Sequence, residues 1–226
     1  PLVAIHLRDR TLYTKLFINP ELYAAEAYMD GRLTLEDGAA IHDFLLLFSV
    51  NRAGLYSYRS QKLIRRIWRG LRRWHQANPI GLAAAHARHH YDLSTDLYRL
   101  FLDDQMQYSC GNFRDPRHDT LEQAQCNKLI HATSKLQLKP GMTVAEIGSG
   151  WGGFAIHLAR ETGARVTAIN VSPEQIKLAR ASAEAAGVSD LVEFRELDYR
   201  QLVGQFERVV SVGMMEHVGI GHLDEY

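Results

Sequence analysis

The chain has 226 residues, of which 46% are hydrophobic and 23% are charged, and its 26 Lys and Arg residues balance 26 Asp and Glu residues. These values are typical of a folded globular protein and exclude an intrinsically disordered chain. The length is enough for one large core or two modest domains, and we expect two.

Apolar runs and cysteines exclude further classes. The longest apolar runs, such as Phe44 to Phe48, are too short to cross a bilayer, and the sequence opens without a basic-then-apolar signal segment. We therefore expect an intracellular protein. Cys110 and Cys126 form no CxxC pair, and the histidines, including the cluster His86, His89 and His90, show no metal-ligand spacing. Neither a disulfide framework nor a metal site is expected.

The first predicted elements are short helices. The segment NPELYAAEAYMDGRLTLEDGAAIHDFLLLF, residues 19–48, predicts helical pieces broken at Gly31 and Gly38. It shows no residues that suggest chemistry.

A basic segment follows, although the net charge of the chain is zero. From Phe44 to Tyr91 there is no Asp or Glu, and there are nine Arg and Lys residues. The densest part, KLIRRIWRGLRRWH, predicts an amphipathic helix. Its apolar face contains Ile64, Ile67, Trp68, Leu71 and Trp74. Its opposite face contains Lys62, Arg65, Arg66, Arg69, Arg72 and Arg73.

Such a helix suits the surface of an anionic membrane, where cations lie near the headgroups and Trp rings lie at the interface. Nucleic acid would attract the same charges. The third reading is a solvated basic face on a helix that packs its apolar face into its own domain. Pro79 and Gly81 then indicate a linker. We place an N-terminal lipid-associated domain at 1–78 and a catalytic domain at 79–226.

Four strands are predicted in the second domain, within MTVAEI, ARVTAIN, LVEFREL and ERVVSV, separated by helical stretches. Strands that alternate with helices indicate an α/β fold with a parallel sheet and right-handed crossovers. We therefore expect a Rossmann-like, mostly parallel sheet preceded by a small, mainly helical N-terminal domain.

Glycines follow the first of these strands directly, at Gly148, Gly150 and Gly153. This placement predicts a tight turn where a ligand approaches the main chain at the start of a helix. A dinucleotide oxidoreductase would need an acid about 20 residues further on, at the end of the second strand. That strand ends in Asn170, and the acid, Glu146, lies before the glycines instead. This order resembles the first motif of the class I S-adenosylmethionine-dependent methyltransferases.

Polar residues also follow the second and third strands. Ser172 is the expected cap of the next helix, with Pro173 at its first position and Gln175 completing a capping box. Gln175 and Asn170 also face the expected adenosine site. Asp198 and Tyr199 are predicted to meet the adenine by a hydrogen bond and by stacking, with an ordinary loop as the alternative.

Longer stretches carry a more specific resemblance. HHYDLSTDLYRLFLDDQMQYSCGNF, TLEQAQCNKL, KLQLKPGMTVAEIGSGWGGFAIHLA and SVGMMEHVG together resemble the cyclopropane-fatty-acyl-phospholipid synthase family, in order and in spacing. ELYAAEAYMDGRLTLEDG resembles the N-terminal domain of that family. His90, Tyr91 and Asp92 match its HYD motif.

The resemblance implies transfer of a one-carbon unit from S-adenosylmethionine to the cis double bond of a phospholipid acyl chain, which gives a cyclopropane. An alkene is a poor nucleophile, so the site must hold the sulfonium methyl in line with it. A base must then remove a proton from the new methyl group before the ring closes. In the family that base is a bicarbonate, and the resemblance implies that Cys110 and Glu216 hold it here.

The same resemblance implies a cofactor site. Its residues would be Tyr108, Ser109, Glu146, Gly148, Gly150, Asn170, Val171, Gln175, Asp198 and Tyr199. The implied partners are an anionic phospholipid membrane and an unsaturated phospholipid, without nucleic acid, and a homodimer is the alternative to a single subunit. The implied location is cytoplasmic, peripheral at the inner membrane face.

Several alternatives stay open. Cys110 alone fits a small buried hydrophobe, and Glu216 with His217 fits the first turn of a helix. Cys126 is expected in the core. A related lipid C-methyltransferase that gives a methyl- or methylene-branched chain is the nearest rival function, and an inactive lipid-binding module is another. A methyltransferase sheet has further strands after the one that ends at Val212, so we expect a fragment with a sheet that is incomplete at its C-terminal side.

Overall fold

The computed structural model describes residues 3–52, 54–55, 58–71 and 95–226, with the side chain of Arg65 excepted. The chain divides into two compact units, 1–75 and 76–226. The predicted boundary at 78/79, with Pro79 and Gly81, lies outside the described residues, as do Arg72, Arg73, Trp74, the cluster His86, His89 and His90, and the Tyr91 and Asp92 of the HYD motif.

The first unit combines helices with a two-stranded sheet. Its elements are β1 (Ala4–Leu7), α1 (Thr11–Ile18), α2 (Pro20–Met29), β2 (Leu33–Glu36), α3 (Ile41–Asn51) and α4 (Arg59–Gly70). Its core consists of Leu12, Ala24, Ala27, Leu33 and Phe44.

Strand β2 corrects one sequence prediction. Gly31 and Gly38 do interrupt the helices, both with positive φ, but the residues between them form a strand rather than a helical piece. β2 pairs antiparallel with β1, in the register Leu33 to Leu7. In the sequence LTLE, Leu33 is buried and Leu35 packs against the same core, which is the alternation of a half-buried strand. Long-range pairing with β1 therefore decides the structure of this segment.

The second unit is an α/β structure. Its elements are α5 (Thr95–Arg99), α6 (Leu121–Leu136), β3 (Thr143–Ile147), α7 (Gly153–Thr162), β4 (Arg165–Asn170), α8 (Pro173–Ala185), β5 (Val192–Glu196), a 3-10 helix (Tyr199–Gln201), β6 (Arg208–Ser211), α9 (Met215–Val218) and a second 3-10 helix (Ile220–His222). The four predicted strands are confirmed.

The four strands form a parallel sheet in the order β5-β4-β3-β6. The strand order changes direction at β3, because β4 and β5 lie on one side of it and β6 lies on the other. Open parallel sheets bind ligands at such a point, at the carboxyl ends of the strands. The apolar residues of β3 and β4, including Val144 and Val166, pack with Leu158 and Ile176 from the helices into one core. This core fixes the turns at the strand ends.

One connection in the sheet differs from the expectation. The sequence predicts helical stretches between all four strands, but a 3-10 helix of three residues is the only helical element between β5 and β6 in this fully described stretch. Asp198 caps it by accepting a hydrogen bond from the backbone N–H of Arg200, at 3.0 Å. The N–H of Leu197, just before this helix, donates to the carbonyl of Asn170 at 2.9 Å, so the connection begins beside the carboxyl end of β4.

No helix in the described parts of the chain combines the length and the apolar character that crossing a membrane requires.

Gly152 generates a stability prediction. It has φ +85°, and an added Cβ would lie 2.6 Å from Phe194 and 2.8 Å from Ala179. Gly187 has a similar φ of +69° but open space around it. We expect Gly187→Ala to lower the free energy of unfolding by about 1 kcal/mol from backbone strain alone. Gly152→Ala adds overpacking of the core, so we expect it to cost roughly 2 kcal/mol more. Urea denaturation of both variants measures the difference, and equal losses would contradict the tight packing at Gly152.

Candidate active site

A glycine turn connects β3 to α7 at the point where the sheet order reverses. The backbone N–H groups of Gly148 and Ser149 both donate to the carbonyl of Ile169, at 3.0 Å, which ties the turn to the end of β4. Gly148 and Gly150 have φ of +81° and +54°, a region that favours glycine. An added Cβ at Gly150 would meet nothing within 4 Å. The main chain is therefore open to a ligand at Gly150.

The other two glycines of the turn have a different role. Gly152 faces Phe194 and Ala179 of the core, and an added Cβ at Gly153 would overlap the carbonyl oxygen of Gln105. The expectation that Gly153 lets a ligand approach is therefore wrong. Its missing side chain lets the loop before residue 107 pack against the first turn of α7.

Asn170 and Gln175 form the next part of the site. The side-chain amide of Asn170 donates to Gln175 Oε1 at 2.7 Å and to the carbonyl of Gly150 at 3.3 Å, while its own oxygen accepts from the N–H of Val171 at 2.8 Å. Ser172 caps α8 as predicted, accepting from the N–H of Gln175. Gln175 does not complete a capping box, because its side-chain oxygen accepts from Asn170. These residues thus converge on the glycine turn.

The segment after β6 reaches the same place. An added Cβ at Gly148 would lie 3.6 to 3.7 Å from side-chain atoms of Met214. An added Cβ at Gly213 would lie 3.5 Å from Ser109 Cβ and 3.8 Å from Glu216 Oε1. The structure therefore brings the EHVG and YSC segments, which are about 100 residues apart in the sequence, together beside the turn.

An aromatic contact chain joins the YSC segment to the glycine turn. The ring of Tyr98 lies 4.9 Å from that of Trp151 and 5.4 Å from that of Tyr108, between ring centroids. Tyr98 and Trp151 are buried, whereas Tyr108 is 56% exposed. Sequence reasoning assigned no role to Tyr98 or Trp151. The only signal for Trp151 was its place inside the glycine motif.

The predicted catalytic pair is accessible. Cys110 and Glu216 are both exposed, so the alternative that Cys110 is a small buried hydrophobe is wrong. Glu216 lies in the first turn of α9, a helix of only four residues. Cys126 is also exposed, which corrects its assignment to the core.

Asp198 and Tyr199 lie just past β5, as predicted, but they have protein partners. Asp198 is buried, and its carboxylate accepts from Arg200 Nε at 2.8 Å and from Arg200 Nη2 at 2.7 Å. The hydrogen bond from Arg200 holds the pKa of Asp198 below its usual value. The Tyr199 ring lies edge-on to Tyr226, at 5.1 Å between centroids. The contacts of Asp198 and Tyr199 with an adenine remain a prediction.

Glu146 lies on β3 and is the most deeply buried acid near the turn. It is 4% exposed, and one of its oxygens, Oε2, has no hydrogen-bond partner. Burial raises the pKa of Glu146 from 4.5 to about 8, opposed by a hydrogen bond from the N–H of Ala155 in α7. The hydroxyl of Ser149 in the turn is likewise buried without a partner. Two orphaned polar groups thus accompany the open main chain at Gly150.

A parallel sheet of this order, with a glycine turn and a polar second strand end, is the fold of the class I S-adenosylmethionine-dependent methyltransferases. The structure of the mycolic acid cyclopropane synthase CmaA1 complexed with SAH and CTAB has this fold, with a TM-score of 0.60 and 31% identity over 66% of this chain and 51% of that one.

A family model described as mycolic acid cyclopropane synthetase matches residues 82–226. The chain belongs to this family. It is 48% identical over 140 residues to a probable fatty acid methyltransferase of Pseudomonas putida, covering 61% of this chain and 35% of that protein. It is 47% identical over 139 residues to the cyclopropane-fatty-acyl-phospholipid synthase of Escherichia coli strain K12, covering 62% and 35%. The matched region thus spans about a third of the length of these relatives.

The residues present fit S-adenosylmethionine. Main chain is accessible at Gly150, where an added Cβ would meet open space. The amide pair of Asn170 and Gln175 lies against it. The unpartnered oxygens of Glu146, near the end of β3, and of Ser149, in the turn, supply buried polar groups.

The buried carboxyl of Glu146 generates a prediction on pH. Because its folded pKa is raised above 4.5 to about 8, its contribution to stability is complete below about pH 4.5 and is lost as the pH rises through 8. Glu146→Gln keeps an oxygen for the Ala155 N–H and cannot ionise. We expect it to raise the free energy of unfolding at about pH 8 by roughly 2 kcal/mol or more, with little effect near pH 5.

Urea denaturation across this pH range measures the effect. Glu184→Gln, which changes an exposed acid on α8, is the matched control and should show no such gain. A Glu146→Gln variant that is destabilised equally at every pH would contradict a carboxyl kept neutral by burial.

Proposed function

We propose that the protein transfers a methylene unit from S-adenosylmethionine to the cis double bond of an unsaturated phospholipid acyl chain and so forms a cyclopropane fatty acid. The observation that carries this proposal is the convergence of Ser109 and Glu216 on Gly213, beside a glycine turn that is open at Gly150. Family membership and the resemblance to the Escherichia coli synthase support it.

In the proposed reaction, S-adenosylmethionine supplies an electrophilic methyl group. The turn at Gly148 and Gly150, with Asn170, Val171 and Gln175, binds its nucleoside and orients the sulfonium. Tyr108 and Ser109 border the methyl donor from the other side. Orientation of this kind replaces a bimolecular encounter and lowers the barrier for attack by a weakly nucleophilic alkene.

A proton must leave the transferred methyl group before the ring closes. We assign its acceptor to a bicarbonate held beside Cys110 and Glu216. Two negative charges in direct contact are costly, so the Glu216 carboxyl and the bicarbonate would share a proton. Both side chains are exposed, which leaves room for an acyl chain and an anion to enter.

An acyl-transfer assay tests this proposal. The natural full-length protein, vesicles of unsaturated phospholipid and S-adenosylmethionine labelled at its methyl group are combined with and without bicarbonate. We expect labelled acyl chains heavier by one CH₂ group and without a double bond. Glu216→Gln should lower the rate by about 10² or more, since it would no longer hold the bicarbonate in place and a positioned base contributes this much.

Asp224→Asn, an exposed acid a few residues further on, is the control and should keep the rate. Equal rates in the two variants would remove Glu216 from the mechanism. Vesicle binding without any label transfer would favour the inactive lipid-binding module.

A second candidate has support from the Pseudomonas putida relative, which is described as a probable fatty acid methyltransferase. A lipid C-methyltransferase would use the same methyl donor and lose a different proton, which gives a branched chain. Its product keeps an unsaturation or takes up hydride from another donor. The double-bond content of the labelled chain in the same assay separates the two reactions.

We further propose that α4 lies on an anionic membrane surface, on its cytoplasmic face. Gln61 anchors this helix in the first unit, where its amide donates to the carbonyl of Phe17 at 2.7 Å. Ile67, Trp68 and Leu71 of the predicted apolar face are 55%, 54% and 46% exposed. This exposure argues against the reading in which the apolar face packs into its own domain. Basic Lys62, Arg66 and Arg69 accompany it and are suited to anionic headgroups.

Charge reversal of Arg66 and Arg69 tests this placement. We expect the double change to Glu to weaken binding to anionic vesicles by roughly 4 kcal/mol, because each cation contributes about 1 kcal/mol and each new anion repels. The loss should shrink at high salt. Co-sedimentation with vesicles measures it. Arg10→Glu, an exposed arginine of the same unit, is the control, and equal binding by all proteins would exclude α4 from the membrane contact.

A further inference from the structure

One face of α6 holds the YSC segment in place. The side-chain amide of Gln125 donates to the carbonyls of Ser109 and Gln107, at 2.9 and 3.2 Å. The carbonyl of Ala124 accepts from the N–H of Asn112 at 2.8 Å. An added Cβ at Gly111 would lie 2.9 Å from Ala124 Cβ, so the loop lies directly on the helix. The backbone of this loop is thus fixed without any help from Lys128.

Lys128 lies on the same face of α6, three residues after Gln125. Its ammonium donates to Ser109 Oγ at 2.8 Å. The side chain is half-buried, and this burial lowers the pKa of Lys128 from 10.5 to about 8, while electrostatic interactions with Asp103 and Cys110 act in the opposite direction. At neutral pH the group is therefore still mainly an ammonium, held beside the candidate active site.

The hydrogen bond from Lys128 decides what Ser109 can do. An ammonium only donates, so the oxygen of Ser109 accepts from it, and the single hydroxyl proton is left for another acceptor. Ser109 borders Gly213, and Glu216 Oε1 lies beside the same glycine. An anion at this place would receive a hydrogen bond from Ser109 and the electrostatic attraction of a half-buried cation, both stronger than in water.

We propose that Lys128 is a positioning residue that, through the hydroxyl of Ser109, prepares the candidate active site to bind a carboxylate-type anion. The inference rests on the proposed function, which offers two sources of this chemistry. One is the free carboxylate of the methionine part of S-adenosylmethionine, and the other is the bicarbonate base. The residue itself does not touch the reacting carbon atoms.

Calorimetry with two nucleosides tests the first source. S-adenosylhomocysteine carries the carboxylate, and methylthioadenosine lacks the amino-acid part. If the cofactor carboxylate is the anion, Lys128→Met in the natural full-length protein should weaken S-adenosylhomocysteine about tenfold and leave methylthioadenosine unchanged, because a charge-assisted hydrogen bond is of this size. If bicarbonate is the anion, both affinities should stay the same, and the bicarbonate concentration for half-maximal rate should rise about tenfold. Either result supports the proposal.

Matched variants separate positioning from simple folding. Lys135→Met removes an exposed lysine from the same helix and should change nothing. If Lys128 acts through Ser109, the effects of Lys128→Met and Ser109→Ala should not add in the double variant. Lys128→Arg keeps a cationic donor that does not titrate in this range. We expect the natural protein to lose anion binding as the pH rises through about 8, and this loss should disappear in Lys128→Arg, with Asp103 and Cys110 unchanged.

Two results would overturn the proposal. One is a Lys128→Met protein with unchanged affinity for both nucleosides and an unchanged bicarbonate requirement. The other is an equal loss of S-adenosylhomocysteine and methylthioadenosine binding, which indicates a disordered loop rather than a lost anion contact. A natural protein that binds neither nucleoside would refute the proposed function itself, and the result for Lys128 would fall with it.

Discussion

The candidate site depends on the close approach of a loop to the first turn of a helix. Gly153 begins α7, and its missing side chain leaves the space in which the carbonyl of Gln105 lies. That loop continues into Tyr108, Ser109 and Cys110. A side chain at Gly153 would displace the whole segment, and with it the contacts of Ser109 at Gly213. The position of the proposed catalytic groups therefore depends on this close approach together with the contacts that hold the same loop against α6.

The electrostatics of the site follow from burial. Glu146 is surrounded by core residues of the sheet, and the loss of solvation holds its carboxyl neutral to about pH 8. Lys128 is less buried and retains negatively charged neighbours, so the same physical effect lowers its pKa only to about 8. A neutral acid beneath the glycine turn and a cation beside Ser109 can thus coexist near neutral pH. The apolar surroundings select these charge states and strengthen the contacts that each group makes.

Local patterns predicted the second unit well and the first less well. The strands from Thr143 onward are apolar runs between turn residues, and the two central ones, β3 and β4, are largely buried in the parallel sheet. β2 failed as a prediction because its four residues become a strand only by pairing with β1, which is about 30 residues away in the chain. The assignment of Cys126 to the core was wrong because the sequence does not state which face of a helix is covered, and Cys126 lies on an exposed face of α6. Lys128 was missed because its partner Ser109 lies in a loop, and the sequence does not show which loop packs against the helix.

The sequence by itself determined the family, the parallel α/β order and the glycine turn, because these depend on residue type at short spacing. Tertiary structure alone decided which glycine is open to a ligand and which is in contact with protein, since this depends on what packs against Gly150 and Gly153. It also decided that Gln175 bonds to Asn170 instead of capping its helix, and that Tyr98 joins Trp151 to Tyr108. Contacts between residues far apart in the chain arise from the packing of whole elements, and no local pattern encodes them.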